Sequence, residues 1–406
     1  MEELCELITD GTHDSPKTQK EGVPFIKGKN ISGGKVDFST CDFITLEDHK
    51  EACRRVKPQR GDILFSNIGS VGDTAVVNDD RAFSIKNVAL FRPDHRKVDK
   101  GYFYYLVLSP AFRSKVMNVR SGSAQPFISL ANLRSFEVTY VDDPDMQRRI
   151  AAVLSAYDDL IENSQRRIKI LESMARALYR EWFVHFRFPG HENHPRVASS
   201  LGEIPEGWEV KAAANSFEIS GGGTPSRKDE RYWESGTIQW FSPSDLTGAG
   251  TMFMDDSGDH ITDLGLAESS ARLFPARSVM LTSRATIGAI AINTQQACTN
   301  QGFITCLPNE RVPLYFLFHW VTENVPTFQR MASGATFKEI SRGVFKTIDF
   351  LQPPARVVLQ FESTVAPLAE QVLSLQRKVQ NLRRTRDLLL PRLLSGQIAL
   401  DELEAA

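Results

Sequence analysis

The sequence has few cysteines and no arrangement of them that does chemistry. Cys5, Cys41, Cys53, Cys298 and Cys306 are odd in number, scattered and never spaced C-x-x-C, which argues against a disulfide framework and a structural zinc site. No G-x-x-x-x-G-K-[ST] stretch occurs, which excludes a nucleotide-driven motor at the motif level. A glycine-rich cofactor loop and the Asn/Asp-Pro-Pro-aromatic turn of a base methyltransferase are also missing. The nearest match, LQPPAR at 351–356, has Gln before the prolines and Ala after them, and reads as a helix start. PEGWEVK (205–211) crowds its acids and lysine into a single turn, whereas a metal-dependent nuclease core needs them on two strands. His185, His191 and His194 fall in HFRFPGHENH with no zinc spacing and read as a solvated connector.

Charge of one sign is lacking too. The chain carries 48 Lys and Arg against 50 Asp and Glu, a net charge of -2, so any DNA binding must come from local patches or from a partner. The longest apolar run, VPLYFLFHWV (312–321), is about half the ~20 residues of a membrane-spanning helix. MEELCELITDG at the start has no basic-then-apolar signal pattern. The expectation is a cytoplasmic protein with no membrane contact. A hydrophobic share of 41% with 24% charged residues is that of a globular protein, and 406 residues are too many for one core.

What is present is a repeat. ITDGTHDSPK (8–17) corresponds to ISGGGTPSRK (219–228), and VPFIKGKNISGG (23–34) to IQWFSPSDLTGAG (238–250). PQRGDILFSNIGSVG (58–72) then matches PARSVMLTSRATIG (275–288), setting Pro58, Arg60, Leu64, Ser66 and Gly72 against Pro275, Arg277, Leu281, Ser283 and Gly288. SIKNVALFRP (84–93) parallels TNQGFITCLP (299–308), and SGSAQPFIS (121–129) parallels SGATFKEIS (333–341). Five blocks in one order make the chain a tandem duplication. DILFS, TAVV, VMLTS and AIAIN read as strands and KGYFYYLVLSPAFRSKV as a helix, so each copy is a small mixed α/β globule.

Each copy ends in a long helix. After DDPD, where Asp143 caps and Pro144 suits the first turn, the stripe runs through Ile150, Leu154, Tyr157, Ile161, Ser164, Ile168, Leu171, Ala175, Leu178 and Trp182. After QPPAR it runs through Phe361, Val365, Leu368, Val372, Leu375, Val379, Leu382 and Leu389, broken by Arg386. Sustained 4-3 spacing is a coiled-coil seam. Each helix, about 35 residues and roughly 50 Å long, needs a partner, and the economical one is the other helix, antiparallel. Tyr179, Trp182, Phe183, Phe186 and Phe188 are expected to be buried where helix, connector and second globule meet.

The fold class expected is therefore α+β: two tandem mixed α/β domains separated by two long helices packed as an antiparallel coiled-coil rod. The boundaries read as a first domain at 1–143, a central helix at 144–188 and a connector at 189–207. A second domain follows at 208–352, a C-terminal helix at 353–396 and a tail at 397–406. LGEIPEGWEV (201–210) is the threshold of the second copy, with Trp208 anchoring its core. The first copy has no counterpart of Trp208, so its opening strand is expected to be missing or to lie upstream.

What remains is loop chemistry. Ser66, Asn67, Ser70, Lys86 and Asn87 in the first copy, and Ser283, Arg284, Thr286, Asn300 and Gln301 in the second, are short polar groups at strand ends beside glycines. Such residues reach base edges and phosphates. Thr12, His13, Lys17, Ser123 and Gln125, with Thr224, Ser226, Arg227, Lys228 and Lys338, complete the candidate DNA-binding set. Two reading heads on a spacer suit duplex DNA. A rival reading is a coiled-coil scaffold whose globules bind proteins.

RRIAAVLSAYDDLIENSQRRIKILESMARALYREWFV (148–184) resembles the central helix of type I restriction-modification specificity subunits. LGEIPEGWEV, GGGTPS, DGTHDSP and RDLLLPRLLSGQI (386–398) resemble that family's domain threshold, early turns and C-terminal helix end, so the resemblance spans essentially the whole chain. It implies two target-recognition domains, each reading half of a split, asymmetric DNA site, with the helices setting the gap. It implies a chain that is not catalytic alone and binds no cofactor or metal. Two methylation subunits carrying S-adenosylmethionine, and restriction subunits using ATP and Mg, would be its partners.

Overall fold

The computed structural model describes residues 1–120, 126–334 and 337–398. The chain divides into two compact units, one of residues 1–161 with the stretch from Asn381 onward, the other Glu162–Gln380.

In the first unit, short apolar runs between turns pair into an antiparallel sheet of order Cys5–Asp10, Ala89–Pro93, Ile63–Phe65, Thr74–Val76. A three-stranded sheet sets Val23–Ile26 between Asp42–Ile44, antiparallel, and Ser84–Ile85, parallel. Phe65, Phe91, Tyr102, Phe103 and Phe112 form the core with almost no exposure. KGYFYYLVLSPAFRSKV is two helices, Lys100–Leu108 and Pro110–Val119, and not the single one expected from its pattern. Pro110 disfavours a helical conformation at the residue before it, and Ser109 accordingly turns extended, ends the first helix and caps the second by accepting from the Phe112 amide at 3.2 Å.

The second unit repeats this plan. Glu218–Gly221, Phe303–Leu307, Val279–Thr282, Ile290–Asn293 and Phe253–Met254 form the larger sheet in that order. Ile238–Phe241 lies between Asp259–Ile261, antiparallel, and Ala297–Thr299, parallel. One further pair, Glu209–Ala212 with Asp349–Gln352, closes the unit.

Backbone bonds fix how the copies correspond. Gly72 N donates to Ser66 O at 2.9 Å and Gly288 N to Thr282 O at 3.1 Å, so Ser66 corresponds to Thr282, one residue earlier than letter matching suggests. Gly61 and Arg277, at φ 91° and 65°, occupy the same left-handed turn position. The identical letters of Arg60/Arg277 and Ser66/Ser283 mislead because the turn conformation, and not the side chain, sets the register.

The connector is not featureless. Arg196–Ser199 and Gly202–Pro205 make a β-hairpin inside residues 189–207, and Gly207, at φ 80°, then delivers Trp208 into the core against Phe183, Phe186 and Phe188. In the first copy the bond that Ala213 N makes to Ile348 O is made by the Met1 amino group to Phe136 O at 2.6 Å. Among the described residues, 137–140 pair with no strand.

The long helices are Pro144–Tyr179, continued by a wider π-turn Arg180–Val184, and Ala355–Leu394. Asp143 caps the first, its carboxylate accepting from the Asp145 amide at 2.9 Å. Within the first unit Ile150, Ala151 and Leu154 share a core with Leu390, Leu393 and Leu394, and Arg386 pairs with Asp158. Within the second, Tyr179 packs on Phe361 at 5.8 Å, and Ala175, Val365, Ala369 and Val372 join them. In each unit the two helices run antiparallel. Tyr157, Ile168, Leu171, Leu178, Leu368, Leu382 and Leu389 are half-buried, while Ile161, Leu375 and Val379 are buried. The stripe read from apolar residues omits Gln376, which is buried on the second helix.

Candidate nucleic-acid interface

In the second copy the expected residues lie on turns that are bonded to one another. Gly222 is required where it stands, since a Cβ there would run into the carbonyl oxygens of Thr299 and Asn300. That close approach sets Thr224 beside the next turn, and its hydroxyl donates to Gln301 Oε1 at 2.6 Å. Asn300 Oδ1 accepts from the Gly302 amide at 2.8 Å, and Gly302 O accepts from Ser283 N at 2.8 Å. The Ser283 carbonyl accepts from Ile340 N at 3.0 Å and the Lys338 carbonyl from Ala285 N at 3.0 Å. Arg284 faces Glu339 at 3.8 Å. Four chain segments are thereby tied into one polar surface, with Ser226, Arg227, Lys228, Arg284, Thr286, Gln301 and Lys338 exposed on it.

The first copy builds the same surface. Gly11 passes so close to the Ile85 carbonyl that a side chain would not fit. His13 Nδ1 lies 2.9 Å from Asn87 Oδ1, the position of the Thr224–Gln301 bond, and His13 Nε2 lies 3.2 Å from Asp10. Lys86 donates to Ser15 Oγ. Gly69 N donates to Pro126 O at 2.8 Å and Ile128 N to Asn67 O at 2.9 Å, as Ala285 and Ile340 do in the second copy.

Burial separates structural from available groups. Ser66, Asn67 and Ser283 are at most 4% exposed and Thr12 8%. Ser66 Oγ points to Ile68 O and Ser70 Oγ, both at 3.4 Å, and Asn67 Nδ2 points to Ile128 O at 3.5 Å. These four brace the turns, and the surface contact expected of them is not open to their side chains. Lys17, Lys228 and Lys338 are exposed and make no ion pair among the described residues. Ser123 and Gln125 lie outside the described residues.

Sequence reading missed Phe25, Lys27, Asp42, Trp233, Trp240 and Asp259, which shape the neighbouring walls. Trp233 Nε1 donates to Ser226 O at 3.0 Å and Trp240 Nε1 to Gly223 O at 2.9 Å, so two indoles pin the GGGTPSRK turn. In the first copy Lys27 donates to Asp42 at 2.8 Å, and this pairing holds the Asp42 carboxyl below the usual carboxylate range.

His191 Nδ1 bonds to the Phe188 carbonyl and His194 Nε2 to the Glu206 carbonyl, both at 2.8 Å, and His185 is exposed. Glu6, Asp94 and His95 form the one cluster of metal-ligating groups found among the described residues. Arg96 already holds the Asp94 carboxylate at 2.8 and 2.9 Å. No helix among the described residues is long and apolar enough to cross a membrane.

Two copies of one α/β domain, each presenting the same set of bonded polar turns, define a tandem recognition protein. Residues 1–173 and 205–357 match the type I restriction modification DNA specificity domain, and the chain belongs to that family, the DNA specificity subunits of type I restriction-modification systems. It is similar to the type I restriction enzyme MjaIX specificity subunit of Methanocaldococcus jannaschii, 26% identical over 89% of this chain and 82% of that one. It is also similar to the HindI specificity subunit of Haemophilus influenzae, 23% identical over 93% and 94% of the two chains. The crystal structure of a type I restriction-modification S subunit from M. genitalium shares the fold, with a TM-score of 0.60 at 15% identity over 97% of this chain and 94% of that one. Family membership favours DNA over proteins as what the domains recognise.

Proposed function

We propose that each domain reads one half of a bipartite, asymmetric site on double-stranded DNA, and that the long helices set the spacing and dock the methylation and restriction subunits. The observation that carries this reading is the repetition of the same bonded turns, His13 with Asn87 and Thr224 with Gln301, around exposed polar groups that differ between the copies. A shared scaffold with different side chains suits two different half-sites. The chain is not catalytic alone. S-adenosylmethionine, ATP and Mg belong to two methylation subunits and to the restriction subunits, which also supply positive charge that a chain of net charge -2 does not. The complex works in the cytoplasm. A footprint of the assembled methylation complex tests this: two short protected blocks with an unprotected gap are expected, and one uninterrupted block, or none, overturns it.

A further inference from the structure

The GGGTPSRK turn carries one side chain whose surroundings exceed what a loop arginine needs. The Arg227 guanidinium lies 3.7 Å from the Trp233 ring centroid and 4.8 Å from that of Trp240. The two indoles meet edge to face at 5.1 Å and 89°, and both donate their N–H to carbonyls of the turn that carries Arg227. Asp259, the cross-strand partner of Trp240, accepts from Arg227 Nη2 at 2.6 Å. Ring stacking and one carboxylate hold the planar fork in place while half of the Arg227 side chain, 51%, stays exposed. The turn is the one whose Thr224, three residues earlier, bonds to Gln301.

The first copy offers a built-in comparison. Phe25 stands where Trp240 stands, and Asp42 is its cross-strand partner as Asp259 is that of Trp240. There the cation is Lys27, donating to Asp42 at 2.8 Å with its ammonium 5.5 Å from the Phe25 ring. The same aromatic-carboxylate socket thus holds a point charge in one copy and a rigid fork in the other. A lysine suits a single acceptor such as a phosphate oxygen, whereas a fixed guanidinium matches two acceptors side by side. Among base edges of duplex DNA, the one that offers such a pair is the O6 and N7 edge of guanine in the major groove.

We propose that Arg227 is a specificity-determining residue that reads a guanine in the half-site of the second domain, with Trp233, Trp240 and Asp259 holding its fork in position. This rests on the reading of the two domains as DNA-recognition heads. The test uses the assembled methylation complex, with competition binding against duplexes varied one base pair at a time and the melting temperature followed for each variant. The parent should prefer guanine at one position of one half-site. Arg227→Ala should lose that preference by about 5- to 150-fold at that position alone, with the other half-site and binding to unrelated DNA unchanged. Arg227→Lys should not restore it, since charge without the fork is insufficient. Asp259→Ala should weaken the same preference with its melting temperature unchanged, which keeps the test decisive if Arg227→Ala fails to fold. Unchanged base preferences in Arg227→Ala, a loss spread evenly over all sequences, or rescue by Arg227→Lys overturns the assignment and leaves the two-head reading standing. A parent complex with no sequence preference overturns both.

Discussion

Thr224 donates its hydroxyl proton to Gln301 Oε1 at 2.6 Å, joining two turns that lie 77 residues apart in sequence. His13 and Asn87 make the corresponding contact in the first copy at 2.9 Å. The bond leaves the Gln301 amide nitrogen to donate outward, so the side chain is aimed and not merely exposed. Gln301→Ala should therefore weaken binding to the cognate duplex by about 5- to 150-fold, the range for losing one good base contact. Asn87→Ala should do the same through the other half-site. Duplexes scrambled in one half at a time check this, and a pair of variants that respond to the same half-site refutes it.

His319 provides a pH dependence with a definite sign. It is 3% exposed, stacks on Tyr179 at 5.7 Å and leaves both ring nitrogens without a partner among the described residues. Burial, helped by the nearby Arg176 charge, holds its pKa down at about 3, against an ordinary value of 6.5. The unfolded chain takes up a proton below pH 6.5 that the folded chain refuses. The neutral ring's contribution to stability is complete above pH 6.5 and is lost as the pH falls toward 3, at about 1.4 kcal/mol per pH unit. Chemical denaturation of the parent and of His319→Phe between pH 7 and pH 4 should show a shallower decline in the variant. Equal slopes would contradict this account.

Gln376 is 7% exposed, and neither of its amide atoms has a hydrogen-bond partner among the described residues. Leaving a buried polar group unsatisfied costs about 1–3 kcal/mol, and leucine has a similar length and no such demand. Gln376→Leu should raise unfolding stability by about 1–3 kcal/mol, seen as a higher denaturation midpoint with an unchanged slope. A lower midpoint would mean that the amide has a role that this packing does not reveal.

The duplication was legible because glycine, proline and short polar residues recur at turns whose conformation demands them. The match slipped by one residue where Arg277 occupies the left-handed position of Gly61, since the matching of letters carries no backbone sign. The long helices showed through their 4-3 apolar spacing, but Gln376 did not, because a polar side chain breaks no rule until its surroundings are known. The Arg196–Ser199 hairpin strand has an almost wholly exposed face, so no alternation marks it. In the candidate interface, residue type pointed to turns that the fold bonds together and could not distinguish Ser66 and Ser283, which brace them from inside, from Ser226 and Thr286 on the surface. The socket of Arg227 was invisible because Trp233, Trp240 and Asp259 converge only through the pairing of Ile238–Phe241 with Asp259–Ile261.

The pairing of Phe25 with Asp42 and of Trp240 with Asp259 also bears on how such a protein diversifies. Strand register fixes the ring and the carboxylate, and the cation that sits on them arrives from a different part of the chain in each copy. A change of that one side chain therefore alters what is offered to a ligand without touching a core residue or a ladder bond. The fold can acquire a new preference in one copy while the other keeps its own, and neither has to relearn how to fold.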